Sequence, residues 1–510
     1  MASQHASNIN TEIWEIRRTP TKLLRAHERR EAVTNRIIRD LKQHGTFFKS
    51  PEGHFYFRRS DSPKLFSIEA DTALGAMIHD RYGINPAETR EFECVMQGLE
   101  IEAELRGEQV EVRRLAHYDL KTKRLYISRF DGWVYRLDGT QKQKVPNGTD
   151  GVFFWDDPSW QPYELVPIGN RRRFEELITC SANFRDTDDL TSTDQQWVLY
   201  VWCLAQFFGS LHPTKPILLI TGEKGGGKTS CLRKWLKMLF GARADVTALE
   251  GGKQDGFVAA ICSSPVVAFD NVDENIKWLP DHLAQLATGI KFQRRKYYTT
   301  NEVVEFQPQC FVALTSRTPK FINGRDDVLD RTLVLHTERR GQFVAESCQL
   351  QAIADNRNSL WSELLRRLNR IVADLRNANG PDEQVEFRMA DFARFALAVG
   401  RIDGNEEAAR AILTKLDSTS SELLLADEAI TIRLEIWLRN PNNHGRKVSS
   451  GELNDELRWL AQEPWPYANA RALGQRLSNI TTDLRERFEV AVERDPAKQN
   501  WYRFWPKLNH

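Results

Sequence analysis

"TGEKGGGKTS" occupies residues 221–230 and follows directly on the apolar run "PILLI", residues 216–220. The spacing G-x-x-x-x-G-K-T falls on Gly222, Gly227, Lys228 and Thr229. Glycines at these places let successive backbone N–H groups turn inward around phosphate oxygens with no side chain in the way. The stretch after the loop, "KTSCLRKWLKMLFG", puts Leu232, Trp235, Leu236 and Leu239 on one helical face and stops at Gly241. The positive end of that helix points at the same anion. Strand, loop and amphipathic helix form the context in which the motif holds a nucleoside triphosphate. We therefore expect Gly222, Glu223, Lys224, Gly225, Gly226, Gly227, Lys228, Thr229 and Ser230 to bind ATP. Lys228 would reach the β- and γ-phosphates, and the Thr229 hydroxyl would ligate Mg²⁺.

Such a loop needs an acid on a neighbouring strand to hold the metal. "PVVAFDNVDE" supplies an apolar strand over 265–269 that ends at Asp270, the expected second metal ligand. Asp273 and Glu274 compete for the role of the base that orients water. A third strand, "CFVALTSRT", ends in Thr315 and Ser316, either of which would suit the attacking water. In "NGRDDVLDRTLVLH", Arg331, with Arg325 as the alternative, is placed to reach a neighbouring subunit's γ-phosphate. Local pairing of these arginines with Asp326, Asp327 and Asp330 is the competing reading.

Between the acid strand and the third strand lies "KFQRRKYYTTNEVVEFQP", which reads as a hairpin around a polar turn. Lys291, Arg294, Arg295 and Lys296 concentrate positive charge there, and Tyr297 and Tyr298 follow. Basic side chains track a phosphate backbone and aromatic rings stack on bases, so this is the expected DNA-gripping element.

This ordered set resembles the superfamily 3 helicases of the AAA+ class over about 180–345. Through "RRKYYTTNEVVEF", "RDDVLDRTLVL" and "RMADFARFALAVG" it resembles, to about 425, the ATPase subunits of phage and mobile-element replication proteins. The resemblance implies a DNA-translocating ATPase that assembles into a ring, expected as a homohexamer with single-stranded DNA in its channel. Its cofactors would be ATP and Mg²⁺. The chain departs from the pattern where Asn271, rather than a second acid, follows Asp270, and where Thr315 or Ser316 stands in place of a sensor Asn. Many relatives carry a primase. The Asp-x-Asp in "FRDTDDLTSTDQQ" has no apolar strand leading into it, and Thr191 or Ser192 there looks like a helix cap, so no primase is read.

Outward from the loop, the fold class is α/β: an AAA+ core of parallel sheet and flanking helices over 171–345. An N-terminal α+β domain is expected over 1–145, a proline-rich linker over 146–170, and a helical region over 346–425. A winged helix-turn-helix unit is expected over 426–510. Its three amphipathic helices and closing hairpin would place Arg471, Gln475 and Arg476 on duplex DNA; a protein–protein role is the alternative. With 510 residues, 41% hydrophobic and 28% charged, the chain has the composition of a multidomain soluble protein. A net charge of +1 confines any nucleic-acid surface to local patches. No apolar run approaches the ~18 residues of a membrane span. Seven scattered cysteines suggest neither disulfides nor zinc, and the expected compartment is the cytoplasm. Beside the helicase stand two rival functions: a nucleotide-driven regulatory switch, and an origin-binding ATPase that loads another helicase.

Overall fold

Four apolar runs in the middle of the chain are buried along almost their whole length, the pattern of strands covered on both faces. In the computed structural model they are Ile217–Gly222, Val266–Asp270, Phe311–Ser316 and Thr332–Thr337. Together with the edge strand Thr247–Ala248 they form one parallel sheet. The order across the sheet is Thr247–Ala248, Val266–Asp270, Phe311–Ser316, Ile217–Gly222, Thr332–Thr337. The acid strand is therefore not the neighbour of the glycine-loop strand, as the sequence had suggested. Phe311–Ser316 lies between them, with Ile220 opposite Thr315 and Phe269 opposite Leu314.

Side chains alternate between the two faces, as the period of a strand requires. Leu218, Ile220, Ala268 and Ala313 enter one apolar cluster, while Ile217, Leu219, Phe269 and Leu314 enter another. The first face is covered by Ser192–Ala205, Lys228–Phe240, Glu346–Asn377 and Ala390–Ile402; the second by Gln254–Ser263 and Leu279–Ala287. Ser192–Ala205 begins with a capping box, in which the Thr191 hydroxyl accepts from the Asp194 N–H and the Asp194 carboxylate accepts from the Thr191 N–H.

The structure describes residues 2–507 apart from 70–71, 88, 170–171, 188, 250–253, 274–275, 290–291, 296–302, 307–308, 318, 323–324, 378–386, 427–428, 461–464, 466, 468 and 495–499. N-terminal to the parallel sheet, the helices Ala2–Arg18, Ala26–His44, Thr72–Tyr82 and Thr89–Arg106 pack on the four-stranded sheet that includes Gly45–Lys49 and Phe55–Arg59. They share a core built on Ile37, Phe57, Leu74 and Leu99. The four-stranded meander Ala116–Pro146 does not belong to that core. Its Leu125, Ile127, Tyr135 and Leu137 pack with Tyr163, Trp361 and the first face of the parallel sheet. Phe48, Tyr56 and Leu65 of the N-terminal part pack in turn with Phe153 and Trp155.

Within 146–169, part of the stretch expected as a linker, Phe153, Phe154, Trp155 and Tyr163 are buried. Phe153–Phe154 pairs in parallel with Val112–Arg113, and the buried Tyr163 stacks on Trp361 with ring centroids 3.8 Å apart. Its prolines are compatible with extended chain laid along a core. C-terminal to the sheet come the helices Glu346–Asn377, Ala390–Ile402 and Glu406–Ala426. The last unit has the three expected helices, Ala429–Leu438, Ser450–Leu457 and Ala470–Arg487, and a core built on Leu434, Leu453, Leu477 and Phe504. The strands Phe488–Arg494 and Asn500–Pro506 form the hairpin, and Val448–Ser449 adds a third strand that the sequence did not signal. The hairpin's turn, 495–499, lies outside the described residues. Among the described residues no helix is long and apolar enough to cross a membrane.

Candidate active site

The strand Ile217–Gly222 ends where only glycine fits. Gly222 has φ +126°, and a Cβ there would sit 1.9 Å from the carbonyl oxygen of Thr337. Gly227, at φ +86°, closes the loop immediately before the helix Lys228–Phe240. The Lys228 Nζ turns back and donates to the carbonyls of Gly222 and Glu223 at 2.6 and 2.8 Å. Burial holds this ammonium below its usual pKa; Asp273 and Asp270 pull the other way, while Arg317 adds to the depression. A buried cation held by neutral carbonyls is favourably placed to gain a phosphate.

The far end of the same helix is also held. Arg357, buried on Glu346–Asn377, donates to the carbonyls of Met238 and Leu239 at 3.0 and 2.8 Å. It donates as well to those of Pro162 and Gln161 at 2.8 and 2.6 Å. A guanidinium on the last carbonyls of a helix complements its dipole. These four acceptors are neutral carbonyls, and burial brings the pKa of Arg357 down to about 10.

Across the cleft, the Thr229 hydroxyl donates to Asp270 Oδ1 at 2.6 Å, and the Thr315 hydroxyl donates to the same oxygen at 2.5 Å. Thr315 Oγ1 also accepts from the Asn271 N–H at 3.0 Å, where Asn271 takes a left-handed φ of +60°. That kink turns the chain after the acid strand and brings Asp273 back to the sheet edge. The Ser316 hydroxyl and the Arg317 N–H donate to Asp273 Oδ1 at 2.8 and 2.6 Å. The Arg317 Nε donates to Asp273 Oδ2 at 2.7 Å. Adjacent residues of one strand thus serve two different acids: Thr315 positions Asp270, and Ser316 positions Asp273.

A cleft of about 540 Å³ opens over this group. Its walls include residues 224–230 and Asp270, and also three side chains that no sequence motif singled out, Arg317, Arg340 and Phe343. Arg317 directly follows Ser316 in "LTSRT", so its position beside the acids was readable. Arg340 and Phe343 come from the segment after the last strand, which carries no motif. The Arg340 guanidinium donates to the Ser181 carbonyl, and its N–H donates to the Gly225 carbonyl at 3.3 Å.

The remaining expected residues lie elsewhere. Arg331 donates to the Asp327 carbonyl and is not among the residues that line the cleft of its own chain. Arg325 pairs with Asp281 at 2.8 Å and Asp327 at 3.0 Å, the local pairing that competed with a role in hydrolysis. Asp330 pairs with Arg388, which joins "RDDVLDR" to "RMADFARF". Phe292–Arg295 and Val303–Phe306 form an antiparallel pair with Arg295 opposite Val303. Glu274, Lys291, Lys296 and Tyr297 lie outside the described residues, as do the side chains of Arg294, Arg295 and Gln475. On the helix Ala470–Arg487, capped by the Asn469 side chain, Arg471 is exposed and Arg476 half-buried.

Residues 191–419 match the family described as the actinomycete integrative conjugative element replication protein. No curated protein matches the chain. Among solved structures, it is similar to the SCCmec type IV Cch active helicase at 14% identity and a TM-score of 0.48, over 90% of this chain and 92% of that one. It is also similar to the apo C-terminal region of NrS-1 at 11% identity and a TM-score of 0.41, over 92% of this chain and 98% of that one.

Proposed function

We propose that the chain is an ATP-dependent, ring-forming DNA helicase or translocase of the superfamily 3-like AAA+ type. Its task would be replication of a phage, plasmid or integrated mobile element. One observation carries the reading. The Thr229 hydroxyl, at the start of the glycine-loop helix, meets the Asp270 carboxylate, at the end of the acid strand, inside a cleft lined by the loop itself. A hydroxyl and a carboxylate that converge beside a helix N-terminus fit Mg²⁺ bound to a nucleoside triphosphate. With Thr229 and Asp270 as protein ligands, phosphate and water oxygens would complete the ion's shell. The match of 191–419 to a mobile-element replication family supports replication as the setting.

In this reading Lys228 leaves its carbonyls for the β- and γ-phosphates. Thr229 and Asp270 would hold the ion, which would supply charge neutralisation at the phosphates. Thr315 keeps the Asp270 carboxylate aimed, while Ser316 and Asp273, or Glu274, orient the attacking water. Arg331 acts on the neighbouring subunit's site. The strand pair Phe292–Arg295 and Val303–Phe306 grips single-stranded DNA, and the C-terminal winged helix docks on duplex.

The test is separation of a forked DNA duplex with ATP and with a non-hydrolysable analogue, alongside the mass of the assembly with nucleotide. ATP-dependent separation by a nucleotide-assembled ring is expected. Assembly without separation would favour the regulatory switch. Melting of origin duplex without movement along it would favour the loader.

A further inference from the structure

The cleft carries two apolar side chains, beside Arg340, Glu346 and Gln349, that the phosphate chemistry does not use. Phe343 and Val344 are 65% and 62% exposed, next to each other, and line the same space as Thr229 and Ser230. Such exposure is unusual for adjacent large apolar side chains in a cleft with charged walls. The ring rests on the loop: a Cβ on Gly225 would lie 3.3 Å from Phe343 Cε1 and Cζ. The backbone that presents it is tied down on both sides. The Glu338 N–H donates to the Asn183 carbonyl at 3.0 Å, and the Arg340 N–H to the Gly225 carbonyl at 3.3 Å. The Gln349 side-chain amide donates to the Val344 carbonyl at 2.8 Å.

We propose that Phe343, backed by Val344, is the platform on which the nucleobase of the bound nucleotide stacks. The inference rests on the phosphate-loop reading and adds the element that recognises the rest of the ligand. A flat ring held on a fixed backbone, within a cleft of about 540 Å³, fits a nucleoside triphosphate whose phosphates lie on the loop. Stacking is stronger for a larger π-face, so the platform favours purine over pyrimidine nucleotides.

The experiment is calorimetric binding of Mg-ADP, Mg-CDP and magnesium pyrophosphate to the wild type, Phe343→Ala and Phe343→Tyr chains. Because Phe343 is exposed, its loss leaves the apolar core intact. Phe343→Ala is expected to weaken ADP about tenfold and to leave pyrophosphate unchanged, while Phe343→Tyr restores ADP. Wild-type ADP is expected to bind more tightly than CDP. Equal weakening of ADP and pyrophosphate would overturn the inference by showing that Phe343 shapes the loop. Unchanged ADP affinity with lost nucleotide-dependent assembly would overturn it in favour of a subunit contact. A wild-type chain that binds neither ADP nor pyrophosphate would overturn the phosphate-loop reading, and this inference with it.

Discussion

Lys228 and Asp270 carry most of the functional reading, and each has a separable test. The Lys228 amine is buried against carbonyls and its charge is disfavoured there, so the resting fold gains little from it. Lys228→Ala should therefore stay folded, by an unchanged thermal transition, while ATP turnover falls by about a hundredfold or more. Asp270→Asn keeps the shape and the hydrogen bonds from Thr229 and Thr315 but removes the negative charge. Its turnover should fall similarly, and no excess of Mg²⁺ should restore it. Near-normal turnover in Lys228→Ala would remove the phosphate-loop assignment. The loop was legible because glycine, lysine and threonine at fixed spacing have few other uses. Phe343 was not legible: a lone aromatic after a strand has no signature, and its place beside Gly225 comes from the return of the chain.

The helix Lys228–Phe240 links chemistry to architecture. Its first turn faces the cleft, and its last carbonyls rest on Arg357, which also fixes residues 161 and 162. Arg357→Met should destabilise the protein by about 1–3 kcal/mol, because buried carbonyls lose their donors. Chemical denaturation checks this, and a shift in the midpoint too small to measure would contradict it. Amphipathic helices and short apolar strands were legible at this level because periodicity records which face is buried. The strand over 265–269 appears as Val266–Asp270, and the arms Phe292–Arg295 and Val303–Phe306 fall within the quoted stretch 291–308. The insertion of Phe311–Ser316 between the loop strand and the acid strand was not legible. Strand order depends on pairings far apart in sequence, which local patterns do not encode. The burial of Phe153, Phe154, Trp155 and Tyr163 was not legible, because proline and turn residues mark irregular backbone whether or not it is buried.

In the proposed ring, assembly would decide what the parts do together. Arg331 does not line its own cleft, so a role in hydrolysis requires a neighbouring chain. Arg331→Ala should slow turnover by about 10³-fold, and mixing it with Lys228→Ala should restore part of the rate, because mixed rings contain some intact sites. No recovery on mixing would count against a shared site. The balance of acidic and basic residues over the whole chain says nothing of where DNA would lie; the local run at 291–296 is the proposed single-strand contact. In the proposed function, hydrolysis is coupled to DNA through the strand pair that carries this run. ATP turnover, measured with and without single-stranded DNA, tests it in the wild type and in the chain with Arg294, Arg295 and Lys296 all changed to Ala. DNA is expected to stimulate turnover in the wild type. Expected in the variant are basal turnover without stimulation, and a salt slope of DNA affinity smaller by about 0.7 for each phosphate that is no longer neutralised. Equal stimulation in both chains, or none in either, would contradict this coupling.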